Sequence, residues 1–92
     1  MIDFDSVKKK LLQDPDVARE YESHQTEFDI ARALIRARLR AKMTQLDVAK
    51  NMKTSQSQIA RLESGNHLPS LSTIKRYATA IDQHIKIDVR PN

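Results

Sequence analysis

Residues 44–65 read TQLDVAKNMKTSQSQIARLESG, two short helical segments joined by a turn. Thr44 and Ser55 are capping residues at the two helix starts, and Gly65 suits a left-handed residue that ends the second helix. Ala49 is small where the two helices must approach each other. The other apolar positions recur at helical spacing and predict an inner face made of Val48 and Met52 on the first helix and of Ile59 and Leu62 on the second.

The outer face of the second helix is polar and carries a basic residue. Ser57 and Arg61 point away from the inner face, and Gln56 and Gln58 flank them. Glutamine can hydrogen-bond adenine and arginine can bind guanine with two hydrogen bonds in the major groove of DNA. The face therefore suits DNA, but a plain helical hairpin in a bundle would show the same inner pattern, and both interpretations stay open at this point.

The rest of the chain is also predicted to be helical, because Gly65 is its only glycine and its prolines lie at positions 15, 69 and 91. Asp14 and Pro15 form an N-cap and a first-turn proline, and Thr26–Asp29 is typical of a capping box. The predicted helices cover residues 6–13, 15–23, 26–41, 45–52, 56–64 and 71–81. The positions expected to face the core are Phe28, Ala31, Leu34, Ile35 and Leu39 before the quoted segment, and Leu71, Ile74, Tyr77, Ala78 and Ile81 after it.

The end of the chain changes its hydrophobic period. Ile85, Ile87 and Val89 alternate with polar residues, which is typical of a β-strand. A single strand leaves its backbone groups unpaired, so we expect it to pair with the same strand of a second copy across a dimer axis. The alternative is an isolated extended tail that packs on its own body.

Charge is distributed unevenly along the 92 residues. Residues 1–30 hold four basic and eight acidic residues, a net charge of −4, whereas residues 31–92 hold twelve basic and four acidic residues, a net charge of +8. An acidic arm and a basic body indicate two different partners, of which the second is a polyanion. The alternative is that these charges only solvate exposed helix faces.

Several classes of protein are disfavoured by composition. The chain has no cysteine, no apolar run near the roughly 20 residues that span a bilayer, and an acidic start unlike a signal peptide. We therefore expect a cytoplasmic protein. His24, His67 and His84 lie on three different elements without ligand-like spacing, and the sequence contains no phosphate-binding loop or nucleophile motif. We expect no enzymatic activity, no metal and no cofactor.

Two resemblances to known families sharpen this interpretation. The stretches that resemble the helix-turn-helix of the phage-repressor (XRE, Cro/C1-type) family are Thr44–Ala49, Thr54–Gly65 and Pro69–Ala78. The stretches that resemble the HigA-type antitoxins, which are encoded beside a small RelE-like toxin, are Asp14–Val17, Glu20–Glu22, Ala33–Arg38 and the final strand. The resemblance implies an all-α bundle of five to six helices with one C-terminal β-strand. It also implies an arm at residues 1–25, a helix-turn-helix domain at 26–82 and a dimerisation strand at 83–92.

The XRE resemblance also implies DNA contacts. The residues expected to touch base edges are Gln56, Ser57, Gln58 and Arg61. Those expected to contact phosphates are Gln45, Ser55 and Asn66, with His67, Lys50 and Lys53 as additional candidates. The alternatives are that Gln45 and Ser55 are only caps, that Arg61 pairs with a nearby acid and that Lys50 is merely solvated. The family usually carries glycine at position 53, so Lys53 implies a left-handed lysine at a cost of about 1 kcal/mol or another turn geometry.

The function implied by the HigA resemblance is that of a homodimeric antitoxin. It would bind a palindromic operator, repress its own operon and neutralise a small basic RelE/HigB-like toxin that cleaves mRNA. The residues expected to bind the toxin are Asp14, Asp16, Val17, Glu20, Tyr21 and Glu22. The alternative is a stand-alone repressor whose arm only completes the dimer.

Overall fold

The computed structural model describes residues 4–11 and 13–91, and these form six α-helices. The helices are α1 (Phe4–Leu11), α2 (Pro15–Ser23), α3 (Gln25–Arg40), α4 (Gln45–Met52), α5 (Gln56–Leu62) and α6 (Leu71–Ala80). The prediction of an all-α fold is therefore confirmed. None of the helices in the described residues is long and apolar enough to cross a bilayer.

Capping side chains start α4, α5 and α6, and the caps of α4 and α5 are those that the sequence predicts. The Thr44 hydroxyl accepts a hydrogen bond from the backbone N–H of Asp47, and the Asp47 carboxylate accepts one from the N–H of Thr44, so α4 begins with a capping box. These hydrogen bonds lower the pKa of Asp47. Ser55 caps α5 and Ser70 caps α6 through their hydroxyls, which accept hydrogen bonds from the N–H groups of Gln58 and Thr73.

The start of α3 differs from the prediction. It begins at Gln25, directly after the N-cap His24, whose side chain makes no capping hydrogen bond. The N–H of Phe28 donates to the carbonyl of His24 at 3.0 Å, so helical hydrogen bonding already includes the residues predicted to form a capping box at Thr26. That capping box is wrong, because α3 follows α2 after a single intervening residue.

The core lies where α4 packs against α5 and α6. Its buried members are Leu34, Val48, Ala49, Met52, Ile59, Tyr77 and Ile81. Two predicted core residues are wrong: Leu39 is 60% exposed and Leu71 is 59% exposed. Leu39 follows Leu34 by five residues, which places it about 140° around α3 from the core-facing side. Leu71 is the first residue of α6 and borders a surface cleft.

A buried ion pair joins α3 to the end of α5. The Arg38 guanidinium donates two hydrogen bonds of 2.9 Å to the Glu63 carboxylate, and the two side chains are only 12% and 3% exposed. The Tyr77 hydroxyl donates to the same carboxylate at 2.7 Å, and Gln45 Nε2 donates to it at 3.2 Å. Burial, together with the hydrogen bond to the Glu63 carboxylate and the charge of that carboxylate, raises the pKa of Tyr77. Side chains from α3, α4 and α6 therefore converge on Glu63.

The residues after α6 contain no strand in the described part of the chain. Residues 83–91 lack regular secondary structure, so the predicted C-terminal strand is not shown. The tail and α6 enclose an apolar cleft of about 330 Å³ that Leu71, Ala78, Ile85 and Ile87 help to line. Val89 is 89% exposed. A strand that pairs only with a second copy cannot form its backbone hydrogen bonds within a single chain. The strand therefore stays a prediction.

The radius of gyration exceeds that of a compact domain of the same length. The radius of gyration is 14.3 Å, against about 12 Å for a compact domain of this length. Asp14 caps α2 as predicted, because its carboxylate accepts a hydrogen bond from the N–H of Asp16 at 2.9 Å. The helix α2 packs against α3.

The turn between α4 and α5 gives a first testable prediction. Lys53 has φ 57° and ψ 46°, the left-handed conformation that glycine adopts without steric cost. We expect Lys53→Gly to raise the free energy of unfolding by about 0.5–1 kcal/mol, measured by urea denaturation. Lys50→Gly is the matched control inside α4, and it should lower stability by about 1 kcal/mol. Destabilisation by both variants would contradict this account of the turn.

Candidate nucleic-acid interface

The outer side of α5 presents the four residues predicted to touch bases. Gln56, Ser57, Gln58 and Arg61 are all exposed, whereas Ile59 on the inner side is fully buried. In the described part of the chain the Arg61 guanidinium has no carboxylate partner. The structure therefore brings the four side chains onto one solvent-facing surface with the basic group available to a ligand.

The N-terminal end of α5 is ordered by serine hydroxyls. Ser55 Oγ accepts a hydrogen bond from the N–H of Gln58 at 3.2 Å and lies 3.0 Å from Ser57 Oγ. Ser55 is thus a cap, as one interpretation of the sequence held, and it remains exposed to solvent. Lys53 is exposed and lies two residues before it, and Lys50 is exposed on α4. Ser55 and Lys53 therefore lie at the start of α5.

The C-terminal end of α5 leads into a tight loop. Ser64 Oγ donates to the carbonyl of Arg61 at 2.6 Å and accepts from the N–H of Asn66 at 3.2 Å. Gly65 follows Ser64 with φ +75°, and a Cβ at this position would lie 2.6 Å from Phe28 Cδ1. The loop therefore has little freedom, and it places Asn66 on the surface and His67 half-buried beside it.

Gln45 lies at this same end of α5, although it is the first residue of α4. Its side-chain amide donates to Glu63 Oε1 at 3.2 Å, so part of its hydrogen-bonding capacity is already used inside the protein. The backbone N–H groups of the first helical turn have no partner within their own helix. A phosphate contact at Gln45 would therefore use the backbone N–H together with the second N–H of the side-chain amide.

The arm residues predicted to bind a protein partner lie on α2 and its cap. Asp14 and Asp16 are exposed and Val17 is half-buried. Asp16 pairs with Arg19 across one turn of α2. The side chains of Glu20, Tyr21 and Glu22 lie outside the described part of the structure. No group of three or more histidine or acidic residues that could hold a metal ion occurs among the described residues.

Sequence reasoning missed the role of Arg38 and Glu63 in positioning α5. Arg38 is one turn after the core residue Leu34 and lies on the same face of α3. An arginine within an apolar stripe indicates a buried partner carboxylate. That spacing was the available signal, although it does not identify Glu63 as the partner.

Comparison with known proteins places this geometry in a family. The helix-turn-helix family model HTH_3 matches residues 34–86, which include α4, the turn, α5 and α6. Antitoxin HigA1 from two strains of Mycobacterium tuberculosis, CDC 1551 / Oshkosh and H37Rv, is 28% identical over 81 residues, or 88% of this chain and 54% of the relative. The chain thus spans about half the length of these curated relatives. No solved structure shows a significant match.

The family match agrees with the geometry described above. It covers more than half of the chain and includes both crossed helices, the turn between them and the exposed polar face of α5. The chain therefore belongs to the XRE-type helix-turn-helix family of DNA-binding domains.

Proposed function

We propose that this protein is a sequence-specific DNA-binding antitoxin that represses its own operon. The observation that carries the DNA-binding part is the outer face of α5, where Gln56, Ser57, Gln58 and Arg61 are exposed together opposite the buried Ile59. In this proposal the four side chains read base edges in the major groove, where glutamine suits adenine and arginine suits guanine. Repression then follows from occupancy of the promoter.

Phosphate contacts would hold the reading helix in register. The groups proposed for this role are Gln45, Ser55, Asn66, His67, Lys50 and Lys53. Contacts to phosphates supply most of the affinity and release counterions, so binding should weaken steeply as the salt concentration rises. The net charge of +8 over residues 31–92 supports this part of the proposal.

Two copies would bind one operator. We propose that Ile85, Ile87 and Val89 of residues 83–92 pair with the same residues of a second copy, because Ile87 and Val89 are exposed apolar side chains. Such a dimer would present two α5 helices to successive major grooves about 34 Å apart on a palindromic site. Residues 26–82 would then form the DNA-binding domain.

Substitution of Arg61 tests the reading face. We expect Arg61→Ala to weaken binding to the operator about 5- to 150-fold, which corresponds to the 1–3 kcal/mol of a bidentate contact with guanine. Fluorescence anisotropy on the promoter duplex and on a scrambled duplex measures both affinities. Arg36→Ala removes an equal charge from the exposed side of α3 and should change the operator affinity little. Equal affinity of Arg61→Ala and wild type would show that the reading face is assigned wrongly.

The second part of the proposal assigns the arm, residues 1–25, to a toxin. The similarity to Antitoxin HigA1 supports it, as does the net charge of −4 over residues 1–30. A toxin that cleaves mRNA needs a basic surface for its substrate, and an acidic helix is complementary to such a surface. The proposed contacts are Asp14, Asp16, Val17, Glu20, Tyr21 and Glu22. The protein would bind both partners, the operator and the toxin, in the cytoplasm.

Removing or reversing the arm charges separates the two functions. A chain without residues 1–25 should still bind the operator and should fail to protect cells that express the toxin. In the full-length chain, Glu20→Lys with Glu22→Lys should have the same effect on protection, because it places like charges against a basic toxin. Asp29→Lys with Asp82→Lys, at two exposed positions outside the arm and the tail, makes the same charge change and is the matched control. Full protection by the truncated chain would show that the arm does not bind the toxin.

A stand-alone repressor is the second candidate. The contact of α2 with α3 favours it, since an arm that packs on its own body can serve folding alone. Purification of the tagged protein from its host at moderate salt distinguishes the two functions. A small basic protein recovered in stoichiometric amount supports the antitoxin, whereas the chain recovered alone and still bound to its promoter supports the simple repressor.

A further inference from the structure

A second basic surface lies beside the recognition helix, between the end of α4 and α6. It is a cleft of about 580 Å³ whose charged lining residues are Lys53, Lys75 and Arg76, and no acidic residue lines it. The neutral polar groups in the lining include Asn51, Ser72 and Thr79. Lys75 and Arg76 have no place among the DNA contacts proposed above. Three cations without a counter-charge indicate a site for an anionic ligand.

The walls of this cleft are held together by hydrogen bonds between α4 and α6. Asn51 Nδ2 donates to the carbonyl of Ala80 at 2.8 Å, and Arg76 Nη2 donates to the carbonyl of Met52 at 2.9 Å. A guanidinium has five N–H donors, so this one bond leaves Arg76 able to bind an anion as well. The cleft is therefore a preformed basic groove.

The position of the cleft along α5 suggests what occupies it. Lys53 lies two residues before Ser55, which caps the N-terminal end of α5, whereas Gln45 and Asn66 lie at the C-terminal end. The seven residues of α5 span about 10 Å, and the major groove of B-DNA is about 12 Å wide between its two phosphate strands. A helix that lies across the groove, as α5 does in this proposal, has one strand near each end.

We propose that the cleft of Lys53, Lys75 and Arg76 binds the phosphodiester backbone of the DNA strand at the N-terminal end of α5. Gln45, Asn66 and His67 then contact the opposite strand, so the protein holds both sides of the groove. This inference rests on the proposed DNA binding and extends it to two residues of α6. Because the contact is to phosphates, it contributes to affinity for every sequence and not to discrimination between sequences.

The salt dependence of DNA binding by the full-length chain tests the proposal. Lys75 is exposed and Lys75→Gln is not expected to disturb folding. The slope of log Kobs against log salt should become less steep by about 1 per protomer on both operator and scrambled duplexes. Between 50 and 200 mM salt, wild type should then lose about 3-fold more affinity than the variant for each lost contact. Lys9→Gln on α1 makes the same charge change and should leave the slope unchanged.

Three results would overturn the proposal or separate it from the function on which it rests. An unchanged slope in Lys75→Gln overturns it. A lower slope accompanied by dissociation in sedimentation velocity also overturns it, because Lys75 borders the apolar cleft beside the tail and would then act in subunit contact. Equal affinity of wild type for operator and scrambled duplex would instead contradict the proposed sequence-specific function, while the slope still reports on the cleft.

Discussion

The Glu63→Ala variant should lose about 3–5 kcal/mol of its free energy of unfolding, a large part of the 5–15 kcal/mol typical of a small domain. Glu63 accepts hydrogen bonds from Arg38, Tyr77 and Gln45 in a site where its side chain is 3% exposed. Removing the carboxylate leaves the Arg38 guanidinium without its counter-charge while it is still largely buried. Urea denaturation followed by circular dichroism measures the loss.

A double substitution shows whether the uncompensated charge is the cause. Replacing both partners, as in Arg38→Met with Glu63→Leu, removes the charge together with its counter-charge and should destabilise the protein less than Glu63→Ala alone. Tyr77→Phe removes one hydrogen bond and keeps the ring, so it should cost about 1–3 kcal/mol. Stability of Glu63→Ala within 1 kcal/mol of wild type would contradict the assigned role of the ion pair.

Gly65→Ala should cost about 2–4 kcal/mol, the second large effect. Gly65 has φ +75°, which is unfavourable for a residue with a Cβ, and the added atom would lie 2.6 Å from Phe28 Cδ1. The chain must therefore bear backbone strain and also displace an aromatic ring at the first turn of α3. Since the loop also carries Asn66 and His67, we expect operator binding to weaken along with stability.

The cost of the left-handed backbone can be separated from the cost of the contact with Phe28 by making the same substitution in a Phe28→Ala variant. In Phe28→Ala the close contact is absent, so adding Gly65→Ala should cost only about 1 kcal/mol for the left-handed backbone. Lys53→Ala is the matched control, since that position already holds a side chain at positive φ and should change stability little. Equal cost of Gly65→Ala in both backgrounds would contradict a role for the Phe28 contact.

Features that depend on near neighbours in the sequence could be predicted. Thr44 and Ser55 cap the helices that follow them, because each capping bond joins residues three positions apart. The inner face of α4 and α5 followed from helical spacing, and Val48 and Ile59 are fully buried as expected. The four proposed reading residues share one exposed face for the same reason.

Features that depend on distant parts of the chain could not be predicted. The Arg38–Glu63 pair joins residues 25 positions apart, so only the packing of α3 against the end of α5 brings them together. Leu71 has helical spacing to the core, yet it is exposed beside the tail. The cleft of Lys53 and Lys75 exists because α6 packs on α4. Neither lysine in the sequence predicts this cleft by itself.

The most direct test of the central claim is the affinity of the purified protein for the DNA upstream of its own gene. The account predicts a protected region with two-fold symmetry, and binding at least 1,000-fold tighter than to a scrambled duplex at the same salt concentration. It also predicts that Arg61→Ala reduces that ratio. Equal affinity for the two duplexes, unchanged by Arg61→Ala, would contradict sequence-specific recognition through α5.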